Sequence, residues 1–151
     1  MSLPVLEESP PIQLCTGIAE LLAAEGLADW RPTQLYGPEE VGVFLLSWPN
    51  APDRIVSLNP YAVRATPGGP MQQVSVQVRC RWAGGKPRAV VDFAGAILEV
   101  LHSLEYCAVG AVRISQSIHR SGTSLGQDGV KRWAWADNYD FDLDHPRMDR
   151  S

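Results

Sequence analysis

Between Ile12 and Leu27, apolar residues recur at Leu14, Ile18, Leu21, Leu22 and Leu27, the spacing of one buried helical stripe. Pro10 and Pro11 suit the start of such a helix, and Gly26 followed by Leu27 marks its end as a left-handed cap with an apolar follower. Two β-prone runs come next, Val41 to Trp48 and Arg54 to Leu58, separated by the turn-forming residues 49–53; the pair predicts a hairpin. After the break at residues 66–70, Val74, Val76, Val78, Cys80 and Trp82 alternate strictly with Ser75, Gln77, Arg79 and Arg81, which predicts a half-buried strand. From Arg88, the stripe Val90, Val91, Ala94, Ile97, Leu98, Leu101 and Leu104 predicts a second amphipathic helix, with Asp92, Glu99 and His102 on its polar side.

Beyond Cys107 a strand is expected to carry Val112, Ile114 and Ile118, followed by a polar loop from Ser121 to Gly129 that has no periodicity. The last element, Arg132 to Asp144, sets Trp133, Trp135, Tyr139, Phe141 and Leu143 on one face and Asn138, Asp140, Asp142 and Asp144 on the other. The order predicts an α+β fold, a mainly antiparallel mixed sheet with two amphipathic helices packed on one face. Residues 12–144 form a single domain in this reading. Residues 1–11 and 145–151, Pro-rich or charged without periodicity, are expected to be flexible tails.

Composition narrows the function. The chain has 151 residues, 45% of them hydrophobic, which suits one ordinary core and excludes global disorder. A formal net charge of −4 argues against a generic phosphate-binding surface and nonspecific nucleic-acid binding. Cys15, Cys80 and Cys107 are widely spaced and lack any zinc-ligand pattern, so buried reduced thiols are expected. The longest apolar runs fall short of the ~20 residues that span a bilayer, and the first residues lack the basic and apolar regions of a secretion signal. The expectation is a soluble chain folded in the cytoplasm.

No motif carries a convincing catalytic set. Gly122 to Gly126 matches G-x-S-x-G around Ser124, and Asp137 or Asp140 followed by His145 supplies the acid and base in order. A nucleophile elbow needs a strand running into a helix; here a Gly-rich segment leads into a strand, so a surface loop is the preferred reading. Acidic residues two apart on a strand spread along it by ~7 Å per step and do not converge on a cation. Pairing of this acidic face with Arg79, Arg81 and Arg113 on neighbouring strands is the ordinary structural use. Gly84, Gly85 and Lys86 lack the first glycine and the Ser/Thr of a phosphate loop. His102, His119 and His145 fall on separate elements without metal-binding spacing, so no metal or cofactor is expected. Trp30, Trp48, Trp82, Trp133 and Trp135 bring much apolar area to so small a core, which places some of them at a subunit interface.

The order and texture of the elements resemble the tail terminator proteins of long-tailed bacteriophages, also called tail completion or minor capsid proteins. The helix from Ile12 to Leu27 precedes Gly42 to Leu58, similar to that family's strand, proline turn and strand. The strand Val74 to Trp82 feeds the helix Ala89 to Leu104, and Trp133 to Leu143 is similar to the Asn-Tyr strand that closes such proteins. The resemblance spans most of residues 12–144. It implies a virion protein without catalytic residues or cofactor. Such a protein forms a ring, commonly a hexamer, that caps the head-proximal end of the tail tube and stops its polymerisation. Its partners are further copies of itself, the tail tube protein and the head–tail connector protein, with DNA passing through the lumen without specific binding. Trp133, Trp135, Tyr139, Asp140, Asp142, Arg79 and Arg81 are then the candidate assembly interface. The segments Pro60 to Pro70 and Ser121 to Gly129 are candidate contacts between rings. The acidic face of Asn138, Asp140, Asp142 and Asp144 would line the lumen or meet arginines of a neighbour. Rival readings are a head–tail connector adaptor or another minor tail protein, a monomeric ligand-binding domain, and a small serine hydrolase using Ser124.

Overall fold

The computed structural model describes residues 3–65 and 71–144. Two helices and six strands follow in the order α1 (Pro10–Ala24), β1 (Val41–Leu45), β2 (Arg54–Ala65), β3 (Met71–Ala83), α2 (Arg88–Leu101), β4 (Glu105–Val109), β5 (Val112–Gln127) and β6 (Arg132–Asp144). The strands form one sheet in the spatial order β1-β2-β3-β6-β5-β4, antiparallel throughout except for the β1–β2 pair. The α+β class read from the sequence holds.

The alternation along β3 sorts the sheet's two faces. Val74, Val76, Val78 and Cys80 lie in register beside Phe141, Tyr139, Asp137 and Trp135 of β6 and face the helices. Leu14, Ile18 and Leu22 of α1 and Val90, Ala94, Ile97 and Leu101 of α2 close over them in one buried cluster. Each such aliphatic side chain contributes roughly 1.5–3 kcal/mol by leaving water.

Helix α1 ends in a Schellman motif: Gly26, at φ 74°, donates to the Ala23 carbonyl at 3.0 Å, and Leu27 donates to the Leu22 carbonyl at 3.0 Å. The chain then joins the sheet edge, where Asp29 bridges Gly42 of β1. The middle of α1 rests on the turn between β4 and β5, with Gly17 against the backbone of Val109 and Gly110.

The hairpin expected of Val41 to Trp48 and Arg54 to Leu58 does not form. Val41 pairs with Arg54 and Leu45 with Leu58 in parallel register, so residues 46–53 carry the chain back across the outer face of the sheet. A parallel connection ordinarily takes about a dozen residues or more. This shorter one works because β3 and β6 supply its hydrogen bonds. The Arg81 guanidinium donates to the carbonyls of Pro49 at 2.8 Å, Pro52 at 2.7 Å and Asp53 at 3.1 Å. Arg132 donates to the Asn50 carbonyl at 2.7 Å and side-chain oxygen at 2.8 Å. Beneath the loop Ile55 is fully buried, and Ser57 donates to the Ser47 carbonyl at 2.6 Å.

Two further expectations are corrected. Pro60 to Ala65 continues β2, and Ser121 to Gln127 continues β5 in register with β6, so neither stretch is loop. The short strand β4 went unread because its residues are mostly exposed and show no apolar alternation. Residues 66–70, the rest of the expected early loop, lie outside the described residues, as does the expected tail 145–151. Helix α1 starts at Pro10, inside the stretch expected to be an N-terminal tail.

Candidate assembly surface

The outer face of β3, β6 and β5 carries a polar network instead of a second layer. Asp140 sits in register with Ser75, whose hydroxyl donates to its carboxylate at 2.6 Å, while Arg120 donates from the other side at 2.6 Å. Asp142 receives Gln73 at 3.1 Å and Gln116 at 2.7 Å, and Asn138 donates to Ser121 at 3.0 Å. Burial opposes ionisation of Asp140, but the hydrogen bonds of Ser75 and Arg120 and the nearby positive charges outweigh it and hold the carboxyl below the ordinary carboxylate range.

The arginine partner of this face is thus Arg120, just ahead of the stretch expected to be loop, and not the expected Arg79, Arg81 or Arg113. Arg79 lays its guanidinium over the Trp48 ring at 4.0 Å, and Arg81 is buried under the 46–53 loop. Asp140→Asn should cost about 1–3 kcal/mol, the range for hydrogen bonds to a charged group, measured as a lower urea midpoint at unchanged slope. A carboxyl depressed by folding stabilises above its unfolded pKa and loses that contribution as pH falls through the folded value. The gap between wild type and variant should therefore be full above about pH 4 and shrink in acid.

On the helix side, Trp133 and Trp135 are half-buried against the core, whereas Tyr139 is fully buried and has no surface to offer a neighbour. Its hydroxyl lacks a hydrogen-bond partner, and burial, reinforced by the charge of Asp137, raises its pKa. All five tryptophans are half-buried. Asp137 lies beneath α2 on the helix side, bonded to His119 at 2.8 Å and to the Trp135 indole N–H at 3.1 Å. A Cβ on Gly122 would come within 2.5 Å of that carboxylate, which explains a glycine inside a strand.

The G-x-S-x-G match dissolves in this geometry. Ser124 lies in mid-strand opposite Trp135, and its hydroxyl accepts from the Gly126 N–H at 3.1 Å; the element that follows is strand β6, not a helix. Asp137 is committed to His119, while His145 lies outside the described residues. Among the described residues, no group of three or more His, Cys, Asp or Glu is placed to hold a metal ion. None of the described helices is long and apolar enough to cross a membrane. Cys15 and Cys80 are buried, which raises both thiols, Cys15 to about 12. Sequence reasoning missed Arg120, Arg132 and Gly122. Gly122 sits in the stretch that lacks alternation and Arg120 immediately before it, and the contacts of Arg132 span the chain from β6 to residues 50 and 53.

A six-stranded mixed sheet with both helices on one face, and a polar network on the other, defines a structural α+β module. A family model described as bacteriophage tail terminator protein matches residues 21–145. The chain belongs to that family, one of structural phage tail proteins and not of enzymes. Among solved structures, a chain of the virion of a native gene transfer agent particle superposes with a TM-score of 0.59 at 13% identity, covering 89% of this chain and 94% of that one. At that identity the likeness establishes the fold. No curated protein matches.

Proposed function

We propose that this protein terminates the tail: it assembles head-to-tail into a closed ring, commonly a hexamer in such proteins, that caps the tail tube, halts its polymerisation and presents a surface to the head connector. The observation that carries the reading is the family match across residues 21–145. In it, the protein folds in the host cytoplasm and resides at the head-proximal end of the tail.

The surface chemistry fits. Asp140 and Asp142 already have partners within their own copy, so they do not need arginines from a neighbour. Of the two roles for the acidic face, lining the DNA passage is therefore the better one: its carboxylates are held in a fixed network, and the Arg120 charge on the same face is offset by its pairing with Asp140. Trp133 and Trp135 on the helix side, with Arg79 on the outer side, are the proposed contacts between copies. Tyr139, Arg81 and Asp140 support them from beneath.

Native mass spectrometry across a concentration series should show one discrete ring, and adding the protein to polymerising tail tube protein should stop elongation. A monomer at every concentration together with unaltered tube growth would overturn the proposal.

A further inference from the structure

The outer face of the sheet holds a cleft of about 140 Å³ where the 46–53 loop meets the ends of β5 and β6, lined by Trp48, Arg79, Arg81, Leu125, Arg132 and Ala134. Three guanidinium groups gather there. Arg81 is buried and donates to main-chain carbonyls, which carry no charge to offset its own. Arg132 is buried and pairs with Asp128 at 2.8 Å. Arg79 lies 4.0 Å over the Trp48 ring, a contact that fixes the guanidinium and leaves its N–H donors without an oxygen. Among the described residues no hydrogen bond or ion pair reaches Arg79, although Arg64, Arg81, Arg120 and Arg132 are all engaged. The crowding acts on Arg81: burial first, then the charge of Arg132 and last that of Arg79 hold its pKa below the ordinary value, against the pull of Asp128 and Asp53.

The sequence explains why Arg79 is left over. Opposite charges on neighbouring strands pair across a sheet, but the outer face of β6 reads Ala134, Ala136, Asn138, Asp140 and Asp142. Arg79 is in register with Ala136, and Arg81 with Ala134. Asp140 and Asp142 come four and six residues beyond Ala136, about 13 Å and 20 Å along the strand, and both are bonded already. Methyl groups beside Arg79 leave open the place a cross-strand carboxylate would take.

The ligand follows from this chemistry. A guanidinium fork matches a carboxylate with two parallel N–H···O bonds, and Trp48 and Leu125 give the cleft an apolar rim that strengthens such a pair. A DNA backbone would need a row of cations, and the face beyond Arg79 turns to carboxylates instead. The helix layer has the complementary charge. Helix α1 carries Glu20 and no basic residue; in α2 Arg88 is taken by Asp92 at 3.1 Å, which leaves Glu99. Both glutamates are exposed, and the sheet separates them from Arg79 of their own copy.

We infer that the cleft at Arg79 and Trp48 receives a carboxylate side chain from the helix layer of a second copy of this chain. The contact joins two different surfaces, so it is heterologous and closes into a ring when the rotation between copies permits. It rests on the terminator reading for the ring it would build, and it can be tested apart from it.

In the full chain a photoreactive benzoylphenylalanine replaces Leu125 at the rim of the cleft. Copies with and without heavy nitrogen are mixed, and a short DNA duplex is added before irradiation. Cross-links should join labelled to unlabelled copies and fall in α1 or α2. Cross-links to another segment, to the duplex or within one copy alone, or none at the highest soluble concentration, would each overturn the inference. Arg79→Ala should raise the concentration for half-assembly by about tenfold or more. Arg79→Glu should block assembly until Glu20→Arg or Glu99→Arg, whichever helix the cross-links select, restores it; a block that neither reversal relieves would overturn the pairing. Arg79→Ala assembling at wild-type concentrations would overturn it too, and leave the terminator reading standing. A ring held by this contact that never stops tube growth would do the reverse.

Discussion

Replacing Arg81 by alanine is expected to destabilise the protein by about 3–5 kcal/mol, more than most single substitutions away from the apolar core. The guanidinium is 3% exposed and donates to three carbonyls, those of Pro49, Pro52 and Asp53. No strand ladder can satisfy those carbonyls, because residues 49–53 lie outside the sheet. Truncation removes three charge-assisted hydrogen bonds and leaves the buried Pro52 carbonyl and the partly buried Pro49 and Asp53 bonds without their donor. Arg132 at Asn50 and Ser57 at Ser47 would then hold the loop. Arg81→Lys should recover less than half of the loss. One ammonium cannot meet three separated carbonyls, and it is harder to bury charged than a guanidinium. Urea unfolding of the three proteins tests this; an Arg81→Ala midpoint within about 0.5 kcal/mol of wild type would show that the loop stands without its staple.

The same arginine shows where sequence reasoning succeeded and where it stopped. Helix α2 and strand β3 were legible because each keeps one period over its whole length, Val90 to Leu101 and Val74 to Trp82. The β1–β2 pair was not. Two short β-prone runs around a proline turn carry the local signal of a hairpin, and the parallel arrangement depends on Arg81 and Arg132, far away in the chain. The far half of β5 was hidden differently. Its pairing with β6 shifts register near Ile114, His119 and Ser124, and each shift resets the alternation that marks a strand. Part of the surface was hidden with it. The even-numbered face of β6 was readable as Asn138, Asp140 and Asp142, but the partner Arg120 lies past the last apolar position of the expected strand, Ile118, at the border of the segment expected to be loop. Tyr139 and Arg81 were legible as residue types suited to interfaces, yet their burial follows from what lies over them, which no local pattern records.

Gly17→Ala should destabilise by about 3 kcal/mol, opposite in sign to the effect helix propensity alone predicts. In an exposed helix the change gains about 1 kcal/mol, because alanine loses less backbone entropy than glycine. Gly17 is instead buried where α1 meets the turn between β4 and β5. A Cβ there would lie 2.5 Å from the Val109 carbonyl oxygen, 2.6 Å from its carbon and 2.8 Å from the Gly110 nitrogen. All three are backbone atoms, so no side chain can rotate away, and either the helix lifts or the turn moves. The turn has little freedom, since Gly110 holds φ 59° and its α-carbon faces Gly17 in return. Lifting α1 would separate Leu14 and Ile18, both fully buried, from the sheet. The check is a thermal and urea comparison with Gly95→Ala in α2, where an added Cβ meets nothing within 4 Å and the propensity gain should appear unopposed. If Gly17→Ala matched or exceeded wild-type stability, the close contact between α1 and the β4–β5 turn would not exist in solution.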